Sequence, residues 1–212
     1  IEDAYKGIRQ GTGVADNRYS THSQTTITTG SKIVIMSAAE VWFLRAEAAL
    51  RGYTSENVES CYKQGITVSF SQWDASGVSE YLENDLKPAP YTDTFDKEFD
   101  AAATTDITPK WDESATTEKK LERIITQKWL ALYPEGCEAW AEQRRTGYPQ
   151  LFKVVVNNSG NTISTEDMIR RVFFNQDYKT DNKALYDALV SKLGGADNGG
   201  TRLWWDAGRN NF

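Results

Sequence analysis

Residues 124–149, IITQKWLALYPEGCEAWAEQRRTGYP, read as two helices folded back on each other, and their pairing decides the fold. Leu121, Ile124, Ile125, Trp129, Leu132 and Tyr133 recur mostly at three- and four-residue steps, which puts them on one helical face. Pro134-Glu135-Gly136 breaks that helix. Cys137, Trp140, Ala141 and Arg144 resume helical spacing, and Gly147 followed by Pro149 is the order expected at a helix C-terminus. So short a connection makes the two helices antiparallel neighbours. Neither buries Trp129 and Trp140 alone, so the hairpin over 118–146 must pack on more of the chain.

Upstream, residues 37–51 are rich in Ala, Glu, Leu and Arg, with Ser37 placed as an N-cap and Glu40 three residues on, as in a capping box. Ala39, Phe43, Ala46 and Leu50 form one face, which Trp42 and Ala49 widen. Gly52 ends the helix, and a second begins at Ser55 or Glu56 and runs through Val58, Tyr62, Ile66 and Phe70. This hairpin, over 37–73, has about the length of a tetratricopeptide repeat. Glu40 and Glu47 lie seven residues apart on it, a spacing that calls for no catalytic carboxylate pair.

Residues 74–114 change character, with Pro88, Pro90 and Pro109 among acidic and aromatic residues. Short helices are predicted over 80–86 and 94–102 in an otherwise irregular insert. Ordered loops on a helical scaffold are where function concentrates. Trp73, Tyr91, Phe95, Phe99 and Trp111 fall in or beside this insert, which makes them candidates for a ligand platform; core packing is the competing reading for each. Residues 1–35 read as loop, with a strand at 32–36 from Ile33, Val34 and Ile35. Arg9, Arg18 and Tyr19 there line a pocket or stand exposed. His22 has no second His or Cys nearby and reads as a surface residue rather than a metal ligand. Beyond 146, a strand at 154–156, a turn at 157–160 and a helix over 181–193 stopped by Gly194-Gly195 are predicted. Asp197-Asn198-Gly199-Gly200 reads as a Gly-rich turn, because it lacks the later Glu of a calcium loop. The Trp204-Trp205 pair reads as a clamp for the end of the chain.

The net charge of −6, with Lys and Arg dispersed, argues against nucleic acid as a partner. No run approaches about eighteen apolar residues, the length of a membrane-spanning helix. A single histidine leaves little material for a nucleophilic triad, and no phosphate-binding, dinucleotide or metalloprotease motif occurs. No catalytic residue, metal or cofactor is assigned. Cys61 and Cys137 both fall in predicted helices, where buried free cysteines are common, and permit a disulfide without requiring one.

The stretch QKWLALYPEGCEAWAEQRRTGYPQL (127–151), with AEVWFLRAEAALRG (39–52), YKQGITVSFSQW (62–73) and TRLWWD (201–206), resembles the C-terminal part of SusD/RagB-like proteins. These are surface glycan-binding lipoproteins that partner TonB-dependent transporters in Bacteroidota. The four blocks occur in the family's order. At Arg170-Arg171-Val172-Phe173-Phe174 the chain departs from it, with Phe173-Phe174 where the family has Tyr-Pro. The resemblance implies an all-α fold of tetratricopeptide-like hairpins with long irregular loops, residues 1–212 being the C-terminal part of a single SusD-like domain. It implies a non-catalytic protein on the extracellular face of the outer membrane, held there by a lipid anchor outside this chain. Such a protein would bind an oligosaccharide or polysaccharide and deliver it to a SusC-like transporter. Ligand contacts are then expected from Trp73, Tyr91 and Trp111, with Arg18 and Tyr19. The alternative is a repeat-type adaptor that binds only protein partners, or a peptide nutrient.

Overall fold

In a computed structural model, which describes residues 5–13, 17–25, 27–206, 208 and 210–212, the described residues form helices and loops with no strand. The chain divides into two compact units. The helical unit comprises Gln24–Tyr91, Ala101–Leu151 and Asn211–Phe212, and the loop-rich unit Ile1–Ser23, Thr92–Asp100 and Phe152–Asn210.

The helical unit is built on α1 (Ala38–Leu50), α2 (Val58–Gln72), a short α3 (Val78–Leu82), α4 (Thr117–Ala131) and α5 (Gly136–Thr146). Ser37 caps α1 as its sequence position indicates, its side chain accepting from the Glu40 N–H. The start of α2 lies at Val58 because the Asn57 side chain accepts from the Ser60 N–H, satisfying one of the donors a helix start leaves free. Helix α1 packs against both α2 and α4. Their shared core holds Phe43, Tyr62, Ile66, Ile124 and the small residues Ala39, Ala46 and Ala131. The α1–α2 approach is set by Gly65, where a Cβ atom would lie 2.8 Å from Cζ of the buried Phe43.

Helix α4 is wrapped by protein: Leu121, Ile124 and Ile125 are buried together with Glu122, Arg123, Gln127 and Lys128. Helix α5 differs, since its buried residues are Glu142 and Thr146, both polar. Its apolar spacing therefore misdescribes how it docks. Trp140 is instead covered by the Arg144 guanidinium, 3.7 Å from the ring centroid.

In the loop-rich unit the Arg9 guanidinium donates to three carbonyls, those of Phe99 (3.0 Å), Asp100 (3.2 Å) and Lys153 (2.7 Å). Val155 and Val156 donate their N–H groups to Gly11 O, so this apolar run is tied down without the predicted strand. The strand at 32–36 is also not formed: Ile33 and Ile35 are almost fully exposed and no neighbouring segment pairs with them, and β-formers need a partner to become a strand. The helix predicted over 181–193 is present as α6 (Tyr178–Asp181) and α7 (Lys183–Leu193), with Asn182 capping α7. Trp204 is 91% exposed, so it does not act as the expected clamp. The Asp206 carboxylate takes that role, gripping Arg170 at 2.6 and 2.7 Å.

Gly65→Ala is expected to destabilise the protein by about 1–3 kcal/mol by overpacking the Phe43 ring, although alanine is the better helix former by about 1 kcal/mol. Urea unfolding of the two proteins measures this, and a stabilised variant would remove Gly65 as the determinant of the α1–α2 distance.

Candidate functional site

The charged part of WAEQRRTGYP lies in a buried ion network that joins α1, α4 and α5. Glu47 of α1 receives Arg145 through Nη1 (2.7 Å) and Nη2 (2.6 Å), and also Arg51 Nε (2.8 Å). Arg145 reaches Glu142 as well, at 2.7 Å. Lys128 of α4, fully buried, stands 3.0 Å from Glu142 and 3.8 Å from Glu40. Burial alone would raise the Glu47 carboxyl, but hydrogen bonds from Arg145 and Arg51 outweigh it and hold Glu47 below its ordinary value. Glu40 is raised, because burial outweighs the more distant Lys128. Glu40 and Glu47 thus have their own cationic partners inside the scaffold, and the network reads as structural.

The aromatics of the insert separate into exposed and packed. Trp73 closes α2, its backbone N–H reaching the Phe70 and Ser69 carbonyls, and the residue is 42% exposed. Beside it stands Tyr133, 50% exposed, with ring centroids 5.9 Å apart and the planes tilted by 45°. Thr25 Oγ1 lies 2.7 Å from the Tyr133 hydroxyl and steadies it. The two rings form an open aromatic shelf. Tyr133 fits the apolar periodicity of α4, but it falls beyond Ala131 in the turn before Pro134, where that periodicity no longer decides burial.

Trp111 is the main correction. It is 7% exposed and packs on Tyr62 at 5.1 Å, with its indole N–H donated to Glu113 at 2.8 Å, so its face is not open for stacking. Tyr91 is half-buried and exchanges backbone hydrogen bonds with Ala101. Tyr19 is also buried: its hydroxyl donates to both Asp93 oxygens at 3.1 Å and its ring meets His22 and Phe95 edge-on. His22, expected at the surface, is buried in that packing with Nε2 3.1 Å from Thr94 Oγ1. Arg18 is exposed. Trp73, Tyr91 and Trp111 have separate neighbours in the helical unit, whereas Arg18 and Tyr19 belong to the loop-rich unit.

The insert and α4 also enclose an open cleft of about 590 Å³ in the helical unit, lined by Lys87, Asp106, Thr108, Trp111, Asp112 and Arg123 among others. Elsewhere Asp197, in the Gly-rich turn, accepts from Arg171 (2.7 Å), the Phe174 N–H (3.0 Å) and the Tyr186 hydroxyl (3.0 Å). These partners, foremost the Arg171 hydrogen bond, outweigh burial and lower its carboxyl. Cys61 is buried and Cys137 exposed, both as free thiols, which corrects the expectation of two buried cysteines.

The family model described as SusD-like, Susd and RagB outer membrane lipoprotein, matches residues 1–206. The chain belongs to the SusD-like family. A SusD homologue from Bacteroides vulgatus is 49% identical with a TM-score of 0.89, covering 98% of this chain and 44% of its own. A chitin-binding SusD homologue from Flavobacterium johnsoniae is 47% identical with a TM-score of 0.81, covering 85% of this chain and 38% of its own. One from Bacteroides thetaiotaomicron is 38% identical with a TM-score of 0.88, covering 97% and 46%. This SusD-like chain therefore spans less than half the length of these solved relatives. No curated protein matches it. Its helices and loops agree with the all-α, tetratricopeptide-like fold of the family.

Glu47→Gln should cost about 3 kcal/mol at pH 7, because it leaves Arg145 and Arg51 short of charge, whereas Glu40→Gln should be near neutral. The stability supplied by Glu47 is present above its ordinary value near 4.5 and is lost as pH falls through its lower folded value. Below about pH 4.5 the Glu47→Gln protein should thus lose less stability than the parent on further acidification. Urea unfolding across pH checks both, and equal losses from the two variants at pH 7 would contradict the assignment.

Proposed function

We propose that this chain is part of a non-catalytic glycan-binding protein that captures an oligosaccharide or polysaccharide on the Trp73–Tyr133 shelf. The observation that carries the reading is an exposed, tilted aromatic pair on a SusD-like scaffold, in a family that includes a chitin-binding protein. The C–H-rich face of a pyranose packs on such rings, and the tilt suits two neighbouring sugar units of a bent chain. The Tyr133 and Thr25 hydroxyls supply hydrogen-bonding groups at the edge. Affinity from so few contacts is modest, because the sugar hydroxyls give up water to bind. Membership of a family of outer membrane lipoproteins supports a lipid-anchored protein that works at the extracellular face and passes its glycan unchanged to a SusC-like TonB-dependent transporter. Tyr91, half-buried in the same unit, is a further candidate contact.

One feature favours the adaptor alternative. Ile33, Ile35 and Met36 project into solvent ahead of α1, a composition suited to protein contact.

Calorimetric titration with a panel of soluble polysaccharides and chitin oligosaccharides tests the reading. Saturable binding to one glycan class, weakened about tenfold or more by Trp73→Ala and by Tyr133→Ala and unchanged by Trp204→Ala, is expected. Binding indifferent to Trp73 and Tyr133 would remove the shelf, and no binding by this chain or a longer form would favour the adaptor.

A further inference from the structure

Arg123 is a permanent cation. It is 6% exposed, it lines the 590 Å³ cleft, and among the described residues no carboxylate oxygen lies within 4.0 Å of its guanidinium. Its Nε donates to Thr108 O at 3.1 Å, while Nη1 is buried without an acceptor. A buried charge with neither counter-ion nor full hydrogen bonding is costly and is retained where something else completes it.

Of the acids lining the cleft, Asp85 is exposed and lies beyond ion-pair distance of the Arg123 guanidinium, and the others have commitments of their own. Asp106 binds Lys119 at 2.9 Å, and Glu122 binds the same ammonium at 2.9 Å. Glu113 accepts from the Trp111 indole and pairs with Lys120 at 3.2 Å. Asp112 accepts from the Ser114 N–H and hydroxyl at 2.9 and 2.6 Å. It feels the Arg123 charge only from beyond ion-pair distance. Of the lining cations, Lys87 is exposed, Lys119 is committed to its two acids and Lys110 to Glu83 at 3.1 Å. Arg123 is thus the buried cation whose charge the cleft leaves unanswered.

We propose that this cleft is a second saccharide subsite, selective for an oxyanion carried on the sugar, a uronate carboxylate or a sulfate ester, which completes Arg123. The inference rests on the glycan-binding reading but uses a site separate from the Trp73–Tyr133 shelf. Trp111 contributes the wall and its hydrogen bond to Glu113 rather than a stacking face.

Titration of the 212-residue chain with trigalacturonate and its methyl ester, and with lactose 3′-sulfate and lactose, at low and high salt, tests it. One or both acidic probes should bind about tenfold tighter than the neutral counterpart at low salt, the gap narrowing as salt rises. Which pair separates identifies carboxylate or sulfate. Arg123→Gln should erase the gap without lowering the thermal midpoint, because it removes a buried unpaired charge. Equal affinity for acidic and neutral probes overturns the subsite while leaving glycan capture standing, and so does a gap that survives Arg123→Gln. If Arg123→Gln and Asp112→Asn lower the midpoint alike and the double variant no further, the guanidinium is completed internally by Asp112 and the proposal fails. No binding of any saccharide overturns both readings.

Discussion

Helix α5 has no apolar anchor of its own in the core, and the Glu47–Arg145 pair is what holds it. Its buried residues are Glu142 and Thr146, so its position follows from charges supplied by α1 and α4 rather than from interdigitated side chains. Such pairing is directional, whereas apolar burial is not: Glu47 offers two oxygens to two guanidinium nitrogens in one orientation. Thr146 adds a second fix through its carbonyl, which accepts from the Asn211 amide at 3.1 Å, and Asn211 in turn binds Glu118 of α4. The turn between α4 and α5 carries Tyr133. A network deep between three helices therefore fixes the surface on which the shelf stands.

The apolar core performs a complementary task. Phe43, Tyr62 and Ile124 fill the space among α1, α2 and α4, and Gly65 allows α2 close enough to close it. Trp111 belongs to this core because Tyr62 presents a ring to it and Glu113 accepts its N–H, which satisfies both the apolar and the polar part of an indole. Trp73, at the end of α2, has no such enclosure. The same residue type is core in one place and surface in the other, according to whether neighbouring side chains enclose it.

That contrast explains what could be read from the chain alone. Ser37, Gly52, Pro134 and Gly147 gave the hairpins away, because caps and breakers act through the local backbone. The placement of α1, α4 and α5 followed within a few residues, and the family resemblance implied the all-α class. The strands at 32–36 and 154–156 failed because β-branched residues specify a strand only when a neighbour pairs with it, and Ile33 and Ile35 meet solvent. At the candidate site, Trp73 was legible as an aromatic outside the helical pattern, whereas Tyr133 matched the apolar face of α4. Arg123 was invisible for a deeper reason: what marks it is the lack of a carboxylate nearby, which arises from tertiary placement and leaves no trace in sequence spacing.

The most direct test of glycan capture is the indole N–H region of a nitrogen-correlated proton spectrum, recorded while a neutral chitin oligosaccharide is added. The Trp73 resonance is expected to shift saturably, while that of Trp111, donated to Glu113, and that of the outlying Trp204 stay in place. Saturable shifts confined to Trp204, or no shift at any oligosaccharide concentration for this or any other glycan class, would contradict a sugar-binding role for the shelf.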